Sequence, residues 1–426
     1  MRAALWILAL FGIAVAIALF AGNNQGTITV FWPPYRIDLS LNLVLLLLVA
    51  AFVFVHLALR ALAALFSLPR QARRWRAQQK ERAMHVALFD ALSHLLAGRF
   101  LRAAKSADTA LRQEKSLRSA REAPPHAAQL RTLSHLLLAE SAQSLQDRTL
   151  RDTHLQQALE PQRLRDANQL VREGVQLRAA RWALDDRDAA AALRWLDELP
   201  QGAQRRTLAL RLRLKAARQA RQTPQALETA RLLAKHRAFS AGAAQSIVRG
   251  LALEMLGGAH DPAQLLRAWS QLDESERKMP EVAIQAAQRL LALQGDVELA
   301  RQWLLPVWEQ MVAQSNAWPD SQRIRLIRTL ESGFDMLSTT SDNQWLTRIE
   351  TAQQRNPRDA NLQYLAGMVC LRHQLWGKAQ QLLSQSVHGL QDNGLYRNAW
   401  RALAQLAEER DDAAAAANAW KQAAGT

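Results

Sequence analysis

The chain opens on two long apolar runs with a short alternating stretch between them. Residues 3–21 read AALWILALFGIAVAIALFA and carry no charge; residues 43–59 read LVLLLLVAAFVFVHLAL, with His56 as the one ionisable group. Runs of this length are long enough to cross a bilayer core as helices. The first is long for the apolar core of a cleaved leader, only Arg2 supplies charge before it, and no small-x-small cleavage pattern follows, so it reads as a span. The linking residues 22–40, GNNQGTITVFWPPYRIDLS, alternate on two faces, with Thr27, Thr29 and Phe31 opposite Ile28, Val30 and Trp32. Pro33-Pro34 breaks the run and the alternation resumes at Tyr35, Ile37 and Leu39. That pattern predicts a small β-hairpin turning at the prolines, with Trp32 and Tyr35 at headgroup depth. Residues 1–66 are therefore expected to form a two-span transmembrane hairpin with a short periplasmic loop at 22–40.

The polarity then inverts. Residues 67–82, SLPRQARRWRAQQKER, carry Arg70, Arg73, Arg74, Arg76, Lys80 and Arg82 against Glu81 alone. Basic flanks stay on the cytoplasmic side of a span, which places the rest of the chain in the cytoplasm. Residues 67–83 are expected to be a basic juxtamembrane helix facing anionic lipid headgroups, with Trp75 at the interface, rather than a nucleic-acid site. Arg60, just past the second run, can snorkel to the headgroups. His56 lies near the end of that run, where a neutral imidazole costs little; the competing reading of an intramembrane histidine is a ligand or relay role.

From residue 84 to 426 the apolar positions recur at helical spacing, broken by short turns. The clearest unit is 356–387, NPRDANLQYLAGMVCLRHQLWGKAQQLLSQSV. Pro357, Gly367 and Ala379 there take the spacing of the tetratricopeptide repeat, in which a small residue on each helix admits the other, and Trp376-Gly377 is read as the turn. Residues 399–424 repeat the pattern with Asp411-Asp412 at the turn, and residues 284–307 do so with Gly295-Asp296 at the turn and Ala300 beyond it. Residues 87–111 fit through Gly98, Phe100, Ala103, Ala107 and Ala110. Weaker units lie at 175–199 and 208–233, the latter with Thr223-Pro224 read as its turn. Several such units predict an all-α, tetratricopeptide-like solenoid in which each helix pair buries its apolar face on its neighbours and a concave face is free to bind a partner. Trp303, Trp308, Trp400 and Trp420 are expected to be packing residues.

Composition changes this picture little. Ala, Leu, Arg and Gln dominate and favour helix. The 54 Lys and Arg against 38 Asp and Glu give a formal charge of +16, which is mostly the decoration of exposed helix faces. Cys370 is the one cysteine, so there is no disulfide framework and no cysteine-based metal site; flanked by apolar residues on a helix, it reads as a core thiol. No Walker loop, HExxH or GxSxG is present, so no catalytic residue, no metal site and no enzymatic activity are expected. His85 and His94 lie nine apart, as do His126 and His135, a spacing that does not pair them on one helix face. Either set could ligate haem axially if a partner helix closed a pocket, but surface or packing roles are the simpler expectation.

Taken together, GTITVFWPPYRIDLSLNLVLLLLVAAFVF, RRWRAQQ and the ALFDALSHLLAGRFLRAAKSA helix pair resemble the proteobacterial HemY family of the haem-biosynthesis gene cluster. The body matches that family in architecture more than in motif. The chain does not resemble the flavin-dependent protoporphyrinogen oxidase that shares the name, for it has no Gly-rich dinucleotide fingerprint after a strand. The resemblance implies a multi-pass protein of the bacterial inner membrane tied to late steps of protohaem synthesis. The function expected is a scaffold or regulator whose partners are late haem-biosynthesis enzymes. The alternatives are a porphyrin or haem carrier, with cofactor-binding residues unknown, and a scaffold for an unrelated envelope assembly process.

Overall fold

The computed structural model describes residues 2–22, 25–120, 124–160, 169–314, 318–334 and 342–425, with side chains at several positions of 2–21, at 64–71 and at 342 outside the description. The chain divides into two compact units, Met1–Arg172 and Glu173–Thr426.

In the first unit, α1 (Arg2–Gly22) leads to an antiparallel hairpin of β1 (Thr27–Trp32) and β2 (Tyr35–Ser40). The register pairs Thr27 with Ser40 and Trp32 with Tyr35, so the chain reverses at Pro33-Pro34 as the alternation predicts. Trp32 and Tyr35 form the terminal rung, about 17 Å by strand rise from Ser40. The register thus puts them at the far end of the hairpin, not at its base where strand meets span. Ser40 closes the hairpin and caps the next helix, its hydroxyl accepting from the Leu43 N–H at 3.3 Å.

That helix, α2, runs without a break from Leu41 to Leu96, about 84 Å of helix at 1.5 Å per residue. The boundaries expected at 66/67 and 83/84 fall inside it. They marked changes of polarity, and polarity changes which solvent a helix meets without changing its backbone: the apolar, basic and amphipathic stretches are all rich in good helix formers. Among the described residues, one segment, Leu41–Ala63 of α2, is long and apolar enough to cross a membrane. The structure thus supports one of the two expected spans; α1 is a helix of 21 residues, and several of its side chains lie outside the description. Past the basic stretch, α2 packs on α3 (Phe100–Ser119), which packs on α4 (Ala127–Ser144), and α4 pairs with α5 (Arg148–Leu159). Small residues make these approaches close: Ala91, Ala103, Ala107 and Ala110 are buried.

The second unit is a run of further helices: α6 (Gln169–Asp185), α7 (Ala189–Asp197), α8 (Gln201–Gln204), α9 (Thr207–Gln219), α10 (Thr223–Lys235), α11 (Ala241–Gly257), α12 (Pro262–Ser270) and α13 (Glu274–Arg277). Eight helices follow: α14 (Pro280–Ala292) pairs with α15 (Val297–Ala313), α18 (Ala360–Arg372) with α19 (Trp376–Ser386), and α20 (Asn393–Glu408) with α21 (Ala413–Ala424), while of the intervening α16 (Asp320–Phe334) and α17 (Asp342–Arg355) the latter packs on α18. The first helices stack in order, α14 on α16, α16 on α18 and α18 on α20. Contact between sequence neighbours alone is how a solenoid builds its core. Here that core is continuous from Leu210 to Ala419.

One turn recurs through both units. Gly98, Gln146, Arg187, Arg221, Arg237, Gln294, Gln374 and Asp411 all have positive φ. After each, the next N–H donates to the carbonyl five residues back, as Asp147 does to Ala142 and Leu375 to Cys370, both at 2.9 Å. This is the Schellman closure, which satisfies the last carbonyls of one helix while turning the chain into the next. Asp147, Asp188 and Asp412 then cap the following helix through their side chains. Two expected turns move accordingly. Trp376-Gly377 opens α19, with Gln374 in the turn, and Thr223-Pro224 opens α10, with Arg221 in the turn; a proline suits a first helical turn, where no N–H is missed. The small-residue contact of 356–387 is present: a Cβ on Gly367 would lie 2.7 Å from Leu383 Cγ and 3.2 Å from its backbone nitrogen. Cys370 and Ala379 are fully buried beside it.

Candidate functional site

The histidines singled out by the sequence meet across helices rather than along them. Glu81 and His85 lie one turn apart on α2 and share a face. His126 sits at the N-terminal boundary of α4, placed by a tight turn in which the Ala127 N–H donates to the Pro124 carbonyl at 3.0 Å. Its Nε2 lies 3.0 Å from His85 Nε2 and 3.9 Å from Glu81 Oε1. The two rings are 5.1 Å apart at 50°. His85 Nδ1 lies 2.7 Å from the Glu81 carbonyl oxygen. A carbonyl can only accept, so Nδ1 carries the proton and, in the neutral ring, Nε2 presents its lone pair towards His126. Glu81, His85 and His126 are all half-buried, so the cluster is reachable from solvent.

Packing and polar ties hold the three helices beneath the cluster. Met84, Leu117 and Leu130, one from each of α2, α3 and α4, form an apolar cluster next to the two histidines. Lys80 Nζ donates to Ser116 Oγ at 2.7 Å, tying α2 to α3. Buried Glu114 accepts from Arg131 Nε at 3.2 Å and Nη2 at 2.6 Å, tying α3 to α4. Both donors converge on the one oxygen Oε1, a charge-assisted contact.

A second pair joins α4 to α5: His135 Nδ1 lies 3.2 Å from His154 Nδ1, with the rings 5.4 Å apart at 30°. Burial, and then the neighbouring His154 and Arg131, push the His135 pKa down to about 4. It is therefore neutral at physiological pH. The pairs the structure makes are 85 with 126 and 135 with 154, and among the described residues His94 enters neither. The nine-residue spacing carried no information about either pairing. The sequence pointed to no metal site; the structure brings three ligand atoms, one each from Glu81, His85 and His126, within 4.8 Å of one another.

The other candidates settle simply. His56 lies seven residues before the end of the candidate Leu41–Ala63 segment and stacks on Phe52 at 6.4 Å. Cys370 is buried, and burial pushes its thiol up to about 11, with Glu350 adding to the shift. That is an inert core thiol, as expected. Trp303 stacks on Trp269 at 4.4 Å, Trp308 is buried and Trp400 packs on the core. Trp420 departs from its expected packing role: it is 39% exposed and donates to Glu408 Oε1 at 2.7 Å. Trp75 is exposed, about 18 Å along α2 beyond Ala63.

In the second unit a cavity of about 680 Å³ opens between α15 and α17. Trp308 lines it on the apolar side, and Gln344, Arg348, Thr351 and Arg355 supply polar groups. The Arg348 guanidinium stacks over the Trp345 ring at 5.6 Å. Glu309 lines the cavity as well, so its charged groups are two guanidiniums and one carboxylate.

Residues 26–146 match the family model for the HemY protein N-terminus. The match spans the β-hairpin, α2, α3, α4 and the Glu81–His85–His126 cluster, and is consistent with a HemY-family protein. Among curated proteins none matches the chain. Two solved structures overlap it loosely. One is a chain in a structure of Naa15/Naa10 bound to HypK-THB, 11% identical, covering 76% of this chain and 56% of that one at a TM-score of 0.25. The other is the TPR domain of P58(IPK), 14% identical, covering 76% of this chain and 98% of that one at a TM-score of 0.22.

Proposed function

We propose that this chain is a membrane-anchored scaffold that holds protein partners on a helical-repeat surface, with no catalytic step of its own. The observation that carries the reading is α2. One unbroken helix is at once the Leu41–Ala63 candidate span and the first helix of the repeat body. A partner bound to the body is thereby tethered to the membrane surface, which raises its effective concentration there without any further contact. The HemY N-terminal match supports late protohaem synthesis as the process served, and its late enzymes as the partners.

The finer topology belongs to the same proposal. α1 is the second span of a hairpin, the β1–β2 loop is periplasmic, and the body is cytoplasmic in a bacterial inner membrane. The basic run after the span favours that orientation, and Arg73, Arg74 and Arg76 face anionic headgroups. The cavity beside Arg348 and Arg355 is the docking place we favour, for an acidic segment of a partner enzyme. A porphyrin carrier fits the histidines less well. Two axial nitrogens on opposite sides of one iron stand about 4 Å apart with the macrocycle between them, whereas His85 and His126 approach to 3.0 Å.

Affinity purification of the full-length chain from detergent tests the scaffold. Late haem enzymes should co-purify, and Arg348→Glu with Arg355→Glu should reduce their recovery about tenfold or more. Recovery at background level, together with normal porphyrin levels in a deletion strain, would rule out the haem-linked scaffold.

A further inference from the structure

We propose that Glu81, His85 and His126 form a binding site for a divalent late first-row metal ion, with zinc the ion best suited to it. The donor set is two imidazole nitrogens and one carboxylate oxygen, the mixture that borderline cations take in open sites. Its geometry is close to what such an ion needs. Bonds of about 2.0–2.1 Å at tetrahedral angles put ligand atoms about 3.3 Å apart. The two Nε2 atoms stand 3.0 Å apart, the Glu81 oxygen lies 3.9 Å from His126, and all three ligand atoms lie within 4.8 Å of one another, so a rotation of the Glu81 side chain by about an ångström completes three corners. Glu81 is 37% exposed and free to rotate by that amount.

Two further features belong to a metal site rather than to a chance meeting of rings. His85 is oriented by donation from Nδ1 to the Glu81 carbonyl at 2.7 Å. That is the outer contact by which ligating histidines are usually held, and it leaves Nε2 bare. The ligands also come from different helices, 41 residues apart in the chain, on a platform of Met84, Leu117 and Leu130. Without metal, His126 Nε2–H donates to His85 Nε2. On binding, that proton passes through solvent to His126 Nδ1, and both Nε2 lone pairs face the ion. The positive end of α4 opposes a cation here, and the Glu81 carboxylate offsets it. On α2, Lys80 is turned to Ser116, and Arg82 adjoins Glu81 in the chain. The fourth position faces solvent and would hold water or a ligand from a partner. An ion so held staples the membrane-borne helix to the start of α4.

The test uses the untagged full-length chain in detergent, stripped with chelator and titrated with Zn²⁺ by calorimetry and with Co²⁺ by visible absorption. One ion per chain is expected, with the absorption of tetrahedral Co²⁺. His85→Asn and His126→Asn, which keep a polar side chain of lesser reach, should each weaken binding about tenfold or more. Glu81→Gln should weaken it less, and His94→Asn and His135→Asn not at all. Far-UV circular dichroism checks that each variant remains helical. Absence of saturable uptake of either ion overturns the proposal. So does uptake that survives both the His85 and His126 substitutions, or uptake lost equally with His94→Asn.

Discussion

The helices around Glu114 and those around Trp345 solve the same packing problem by different means. In the first unit, α2, α3, α4 and α5 approach through alanines such as Ala91, Ala107 and Ala139, and directional polar contacts lock them: Lys80 to Ser116, Glu114 to Arg131, His85 to His126 and His135 to His154. In the second unit, large apolar groups interlock from α9 to α21, with Trp345, Tyr364, Leu383 and Leu395 all buried. Apolar burial is strong and non-directional. Polar contacts add little net energy but cost heavily when half is missing. The second unit has polar ties of its own, such as Arg231 to buried Glu276, but its continuous apolar core sets it apart, while the paired histidines lie in the first.

The comparison is broken hardest at Trp345. It is 2% exposed and meets Trp308 edge-on at 6.1 Å. Trp345→Ala removes the largest fully buried side chain among the described residues and leaves a cavity between α15 and α17, at a cost of about 3–5 kcal/mol. In urea melts this should appear as a large fall in midpoint for the second unit. A loss under about 1 kcal/mol would mean that the second unit does not rest on its apolar core.

The first unit should answer to a different substitution. Arg131→Ala strands the Glu114 carboxylate, whose side chain is 2% exposed, and should cost about 3 kcal/mol. The double variant Glu114→Met with Arg131→Met should cost less than the single one, because it buries no orphaned charge. If the double variant is worse than the single, the pair contributes attraction beyond its own desolvation, and the contrast between the units weakens. Both are read from denaturation of the full-length chain.

These differences also explain which parts of the fold could be read from the sequence. The hairpin was legible down to its turn, since alternation with a period of two leaves one register. The small-residue contact of Gly367 with Leu383 and the burial of Cys370 followed from repeat spacing. The continuity of α2 did not, because Arg and Gln prolong a helix as well as Leu does. Nor did the turns at Gln146, Arg187 and Gln374. A left-handed residue is usually signalled by glycine, and Gly98 is the one glycine among the eight. The candidate site was the least legible. Sequence patterns reveal neighbours three or four residues apart on a helix, whereas His85 meets His126 across 41 residues and His135 meets His154 across 19. The half of the site that was local, Glu81 with His85 at one-turn spacing, looked like any charged helix face.

The mildest expected effect is a pH dependence seated in the first unit alone. Burial is the largest cause holding His135 at about 4 against an ordinary 6.5, with the His154 and Arg131 charges acting in the same direction. Between those two values the unfolded chain binds a proton that the folded chain refuses. Stability therefore rises with pH through that window. The His135 contribution is fully present above about 6.5 and is lost as the pH falls towards 4. His135→Gln, which keeps a neutral polar side chain, should flatten this part of the stability profile. His154→Gln should flatten it only in part, because it removes a charge and leaves the burial. Unfolding free energies measured from pH 7 down to pH 4 check both. An unchanged slope in His135→Gln would show that the acid sensitivity lies elsewhere, and a slope abolished equally by His154→Gln would make charge, not burial, the dominant cause.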